Sequence, residues 1–251
     1  MLTDSFFYAV AIPAVILFGL SKSGITPAFS IPCVPLLSLA VSPLQAVAIM
    51  LPIMLAMDVF AVLAYRRDFD ATTLKTTIPT GIVGVAIGGL LAAYVADVHV
   101  RLIIGVIAVS FVLRYWLGGN RAREPKPHNP LKARFWSTVS GFTSTVAHAG
   151  GVPYQMYTLP LRFTPKTLAA TNAMFLAAIN VAKLVPYTAL GLFDTSTLLT
   201  SLVLSPLAPL SILTGIWIVR RIPVEPFYRI AYACVLIIGL KMLWDGISPL
   251  M

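Results

Sequence analysis

The 251-residue chain is 58% hydrophobic and 11% charged, with a mean hydropathy of +0.89, whereas a soluble domain carries about 25% charged residues. Its 18 lysines and arginines outnumber 9 acidic residues, a net charge of +9. These cations sit in short loops between apolar runs, not on a basic face suited to nucleic acid. The apolar runs reach bilayer length, so the chain reads as membrane domain throughout, with the lipid bilayer as its surroundings.

Five apolar segments make up the first half, at 6–20, 25–39, 43–65, 74–95 and 100–116. Residues Met1 to Asp4 lack the basic start of a signal peptide and are expected to belong to the mature protein. Residues 118–134, GGNRAREPKPHNPLKAR, form a polar linker with three prolines and six basic residues or histidines, which keeps it out of the bilayer. Five more segments follow at 135–149, 152–161, 165–190, 198–219 and 227–244. Lipid offers the backbone no hydrogen-bond partners, and the alternating pattern of a barrel is absent, so the predicted fold class is an all-α integral membrane protein. Cys33 and Cys234 lie in apolar segments and suggest neither a disulfide nor a metal site. No cofactor is expected.

The two halves, 1–117 and 135–251, look like copies. Gly19, Pro43 and Asp58 match Gly141, Pro165 and Asn180 at an offset of 122, and Phe69-Asp70 matches Phe193-Asp194 at 124. Pro79 and Gly88 match Pro206 and Gly215, and Arg101 and Trp116 match Arg229 and Trp244. An odd number of segments per copy inverts the second copy in the membrane. With the linker in the cytoplasm, Arg66, Arg67, Lys75, Arg162, Lys166, Arg220, Arg221 and Arg229 also fall inside. The outer loops 38–42, 97–101 and 191–197 keep a single cation, Arg101, and both termini come out external.

The first two segments of each half are broken. Segment 152–161 is about half a crossing long, and 25–39 carries Pro27, Pro32 and Pro35. Each pair either spans as two broken helices or dips in as a re-entrant hairpin; the short lengths and polar tips favour hairpins. The tips read Gly19-Leu-Ser-Lys-Ser-Gly24 before Pro27, and Ser144-Thr-Val-Ala-His-Ala-Gly-Gly151 before Pro153. A helix starting there presents free N–H groups and partial positive charge to an anion, near the bilayer centre.

The duplicated unit of about 120 residues, the glycine-containing break before a proline in each half and the basic linker resemble the TauE/SafE family of sulfite and organosulfonate exporters. The resemblance spans essentially the whole chain. The first break, Ser21-Lys22-Ser23-Gly24, has fewer consecutive glycines than the family pattern, whereas the second keeps Gly150-Gly151. What the resemblance implies is secondary transport of a small sulfur-containing or carboxylate anion, coupled to protons, in the inner membrane.

Lys22, beside Ser21, Ser23 and Gly24, is the leading candidate anion ligand, against the plainer role of a cytoplasmic anchor. His148 either binds the anion, carries the coupled proton, or is a buried histidine satisfied by a neighbour. Asp58 and Lys183 lie deep in the third segments, where charges are rare. They either pair across the symmetry axis, or Asp58 stands unpaired as a proton carrier. Thr26, Gly150, Gly151, Gln155, Asn172, Thr143 and Asn180, which shares a helix face with Lys183, complete the candidates. The rival readings are a passive anion channel and, more remotely, an intramembrane hydrolase. For the hydrolase, Ser21–Lys22 or Ser144–His148 would supply nucleophile and base, but no Gly-x-Ser-x-Gly elbow and no metal-ligand spacing occur.

Overall fold

The computed structural model of the chain describes residues 4–24, 33–37, 39–41, 43–91, parts of 102–117, 124–147 and 150–248. Every regular element among them is a helix: α1 (Ser5–Lys22), α2 (Cys33–Leu37), α3 (Pro43–Tyr65), α4 (Ala71–Leu91), α5 (Pro130–Ala147), α6 (Gly151–Thr158), α7 (Pro165–Ala189), α8 (Thr195–Leu204), α9 (Leu207–Val219) and α10 (Val224–Ile247). The described residues between 102 and 117 are also helical.

Five helices among the described residues are long and apolar enough to cross a membrane: α1, most of α3, α4, α7 and most of α10. The bent pair α8–α9 makes a sixth if it is one span. Their outer faces expose large apolar side chains such as Leu63, Leu90, Val185, Leu202, Leu210 and Leu240. In water so much exposed apolar surface would drive aggregation; in lipid it is solvated.

Local sequence sets the helix ends. Asp4 accepts from the Phe6 N–H at the start of α1 and Asp194 from Thr197 at the start of α8. Asn129 Oδ1 accepts from the Lys132 N–H and Pro130 takes the first helical position, so α5 begins inside the stretch read as linker. The segment read as 198–219 is two helices bent by 45°. Pro206 supplies no amide at the bend, and the Ala208 N–H bonds the nearer Ser205 carbonyl at 3.0 Å. Its counterpart Pro79 sits inside an unbroken α4.

Helix packing crosses between the halves. α4 packs on α5 and α1 on α9; α3 packs on α7, and helical residues of 102–117 lie against α10, as where Gly105 meets Gly239 and Leu243. The contacts recur at fixed offsets. A Cβ on Gly19 would lie 3.3 Å from the Ile212 amide nitrogen, and one on Gly141 lies 3.0 Å from that of Val85. The Tyr65 hydroxyl donates to the Ser23 carbonyl at 2.7 Å, and 122 positions later Tyr187 donates to the Thr145 carbonyl at 3.2 Å.

The turns after α3, α6 and α9 meet the linker at one end of the bundle. Lys166 pairs with Asp68 at 2.9 Å, Arg220 donates to the Ala64 carbonyl at 3.0 Å, and the Lys126 N–H bonds the Pro160 carbonyl at 2.9 Å. His128 of the linker bonds the Tyr157 hydroxyl. The basic loops 66–67, 162–166 and 220–221 therefore cluster at this end.

Candidate functional site

α1 stops at Lys22 with a turn in which the Ser23 N–H bonds the Gly19 carbonyl at 3.0 Å and the Ser23 hydroxyl the Leu20 carbonyl at 2.6 Å. Gly24 then adopts φ +95°, and a Cβ there would fall 2.3 Å from that of Ala169 on α7. Both the left-handed backbone and the close approach demand glycine. The break thereby lays the end of α1 against α3 and α7.

The second break lies between α5 and α6. The Ser140 hydroxyl donates to the Gly150 carbonyl at 2.6 Å, and a Cβ on Gly150 would lie 2.6 Å from that of Ser144. α6 starts at Gly151 with no side-chain cap on its first turn. Its Tyr154 stacks on Phe175 of α7, centroids 3.7 Å apart, and its hydroxyl lies 3.2 Å from Thr77 of α4.

Between the two breaks lies a cavity of about 60 Å³, lined by Ser21, Lys22 and Gly24 from one side and Ser144, Gly150, Gly151 and Gln155 from the other. Asn172 and Asn180 of α7 close it. A single water needs roughly 10–15 Å³ of such space, so the cavity holds one compact polyatomic ion or a few waters. Its donors suit an oxyanion: Asn172 Oδ1 lies 3.2 Å from the Thr158 hydroxyl, which leaves the Asn172 amide hydrogens for a ligand. The Gln155 Oε1 atom is buried without a hydrogen-bond partner.

Lys22 is buried, 8% exposed, which rules out the surface-anchor role. Its ammonium pairs with Asp58 of α3 and lies 3.4 Å from the Met54 carbonyl. Asn180 donates to the other Asp58 oxygen at 2.7 Å. Of the two readings of Asp58, the unpaired one does not hold, because its carboxylate has Lys22 and Asn180 as partners where the end of α1 comes to α3. Lys183, fully buried on α7, donates to the Ser144 carbonyl at 3.4 Å.

Several other candidates sit elsewhere. Ser23 is buried but spends its hydroxyl on α1 and its carbonyl on Tyr65. Thr143 bonds the backbone of its own helix. Thr26 and His148 lie outside the described residues. Sequence reasoning missed Phe18, Met54, Tyr154, Ala173 and Leu176 in the cavity wall. Only the helical spacing of 172, 176 and 180 on α7 signals any of them, by placing Leu176 on the face of the half-buried Asn172 and the buried Asn180.

A family model described as sulfite exporter TauE/SafE matches residues 11–242. No curated protein and no solved structure matches the chain.

Proposed function

Since the chain belongs to the sulfite exporter TauE/SafE family, a family of multi-pass membrane transporters, we propose that it carries small anions across the plasma membrane and binds them in the cavity between its two helix breaks. The cargo on this reading is sulfite or a small organosulfonate. The observation that carries the proposal is the cavity itself, a space of ion size between the two helix breaks with Lys22, Ser21, Ser144 and Asn172 in its wall. A lysine and neutral polar groups around so enclosed a space suit a small anion. The uncapped first turn of α6 adds partial positive charge.

The halves 1–117 and 135–251 are inverted copies in this reading, supported by the contacts repeated at an offset of 122. Their first helices each pack on the fourth segment of the other copy, so rocking of one pair against the other opens the cavity to alternate sides. The clustered basic loops support a cytoplasmic linker, 118–134, and external termini. Asp58, held between Lys22 and Asn180, is the proton-coupling candidate, with His148 the alternative.

Purified protein in liposomes tests this. Sulfite or methanesulfonate should move in response to an imposed pH gradient, and the Lys22→Met/Asp58→Asn double variant should fold and fail to transport. Flux that follows the anion gradient alone removes the coupling and leaves a passive pathway. Normal flux in the double variant removes the site.

A further inference from the structure

Each of the two breaks that wall the cavity is pinned by a tyrosine, and the two tyrosines stand at opposite ends of the bundle. Tyr65, the last residue of α3, is buried and donates to the Ser23 carbonyl at 2.7 Å, one residue past Lys22 in the first wall. Tyr187 of α7 is buried and donates to the Thr145 carbonyl at 3.2 Å, one residue past Ser144 in the second wall. Tyr65 adjoins the basic turn at the linker end, where Lys166 at the start of α7 meets Asp68. Tyr187 lies roughly 33 Å along α7 from that start, at 1.5 Å per residue, and so at the far end.

Both accepting carbonyls belong to helix ends, which have no partner within their own helix. Pro27, four residues after Ser23, has no amide hydrogen to offer it. The tyrosine hydroxyl thus supplies the missing partner, in a buried place where an unpaired carbonyl is costly. α1 rests on α9 and α5 on α4, whereas the tyrosines stand on α3 and α7, which pack on each other. Each bond therefore ties one of the two crossing pairs to the α3–α7 pair.

We propose that Tyr65 and Tyr187 are twin latches of alternating access: each holds one cavity wall at its own end of the bundle, and release of one opens the cavity to that side alone. On the reading of the cavity as the transport site, on which this rests, the structure with both bonds made is the closed state between two openings. A single hydrogen bond is a weak lock, so each latch tunes the balance of states without freezing it. Removing one hydroxyl should shift that balance roughly fivefold.

Phenylalanine keeps the ring and removes only the donor, so Tyr65→Phe and Tyr187→Phe leave the packing and the Lys22–Asp58 pair in place. Gln155→Cys, in a protein also carrying Cys33→Ala and Cys234→Ala, puts one thiol in the cavity wall on neither latched helix. Its labelling by a charged, membrane-impermeant methanethiosulfonate is timed in right-side-out and inside-out vesicles. Tyr65→Phe should speed labelling roughly fivefold from the linker side, and Tyr187→Phe by a similar factor from the opposite side. The Tyr65→Phe/Tyr187→Phe double variant should return the ratio of the two rates to about that of the unsubstituted tyrosines, which a mere loosening of the fold would not do. Rates unchanged in both single variants, or raised from the same side in both, overturn the proposal; normal sulfite flux beside that result leaves the anion reading standing. The expected labelling with no anion flux keeps the latches and removes the cargo.

Discussion

Removing one member of the Lys22–Asp58 pair should cost far more than removing both. The two side chains are 5% and 6% exposed, so water screens them little. At 4 Å and an effective dielectric of 20, two unit charges attract by about 4 kcal/mol. Asp58→Asn keeps the shape of the side chain but strands a buried ammonium, and Lys22→Met strands a carboxylate whose remaining described partner is Asn180. Each single change should cost about 3–5 kcal/mol. The double variant leaves two neutral groups of similar volume and should cost under about 2 kcal/mol, because the desolvation of both ions disappears with their attraction. The non-additivity is therefore expected to exceed about 3 kcal/mol, whereas an exposed pair gives 1 kcal/mol or less. Equilibrium unfolding in micelles, followed by tryptophan fluorescence for the four proteins of the cycle, reads it directly. Additive losses below about 1 kcal/mol each would show that the ions are solvated, and the reading of the cavity as an enclosed site would fall with that result.

The glycines at the crossings make a second test. A Cβ on Gly141 would lie 2.0 Å from the backbone oxygen of Gly81, whereas one on Gly19 meets first the Ser211 hydroxyl at 1.9 Å. Gly141→Ala should therefore destabilise by about 1–3 kcal/mol and more than Gly19→Ala, because backbone yields less than a serine side chain; thermal unfolding of the two variants ranks them. Asp194 gives a pH dependence. Its bonds to the Thr197 side chain and N–H hold its carboxyl below the usual carboxylate range. The stabilisation of the α8 start is thus complete above the unfolded pKa and lost as pH falls through the lower folded value. Hydrogen exchange at the Thr197 amide should quicken only in that acidic window.

The helices were legible because length and composition settle them in lipid. The reach of 43–65 and the brevity of 152–161 follow from prolines, charges and polar turns flanking apolar runs. The break at Ser205–Pro206 was not legible, since Pro79 at the matching place leaves α4 intact. What differs is the surrounding packing, which a local pattern does not contain. At the cavity, Ser21, Lys22, Gly24, Gly150, Gly151, Gln155 and Asn180 were singled out because polar residues stand out against an apolar background. Met54, Leu176 and Phe18 carry no such contrast. That Lys22 reaches Asp58 was not legible for a related reason: where the end of α1 meets α3 is fixed by the Gly24 turn against Ala169, a tertiary contact with no sequence signature.

The exchange of partners between the halves has a consequence for how the chain is made. The glycine face of α1 rests on α9, so Gly19 waits for Ile212, 193 residues downstream. At synthesis rates of about 5–20 residues per second, that interval is roughly 10–40 s. During it α1 stands in the bilayer with a small-residue groove facing lipid and with Lys22 at its end. α3 brings Asp58 early in that interval, but Ala169, against which the Gly24 turn is seated, comes only with α7. The ion pair and the filled groove therefore both wait on the second half of the chain, so the cavity is completed only when synthesis is nearly done.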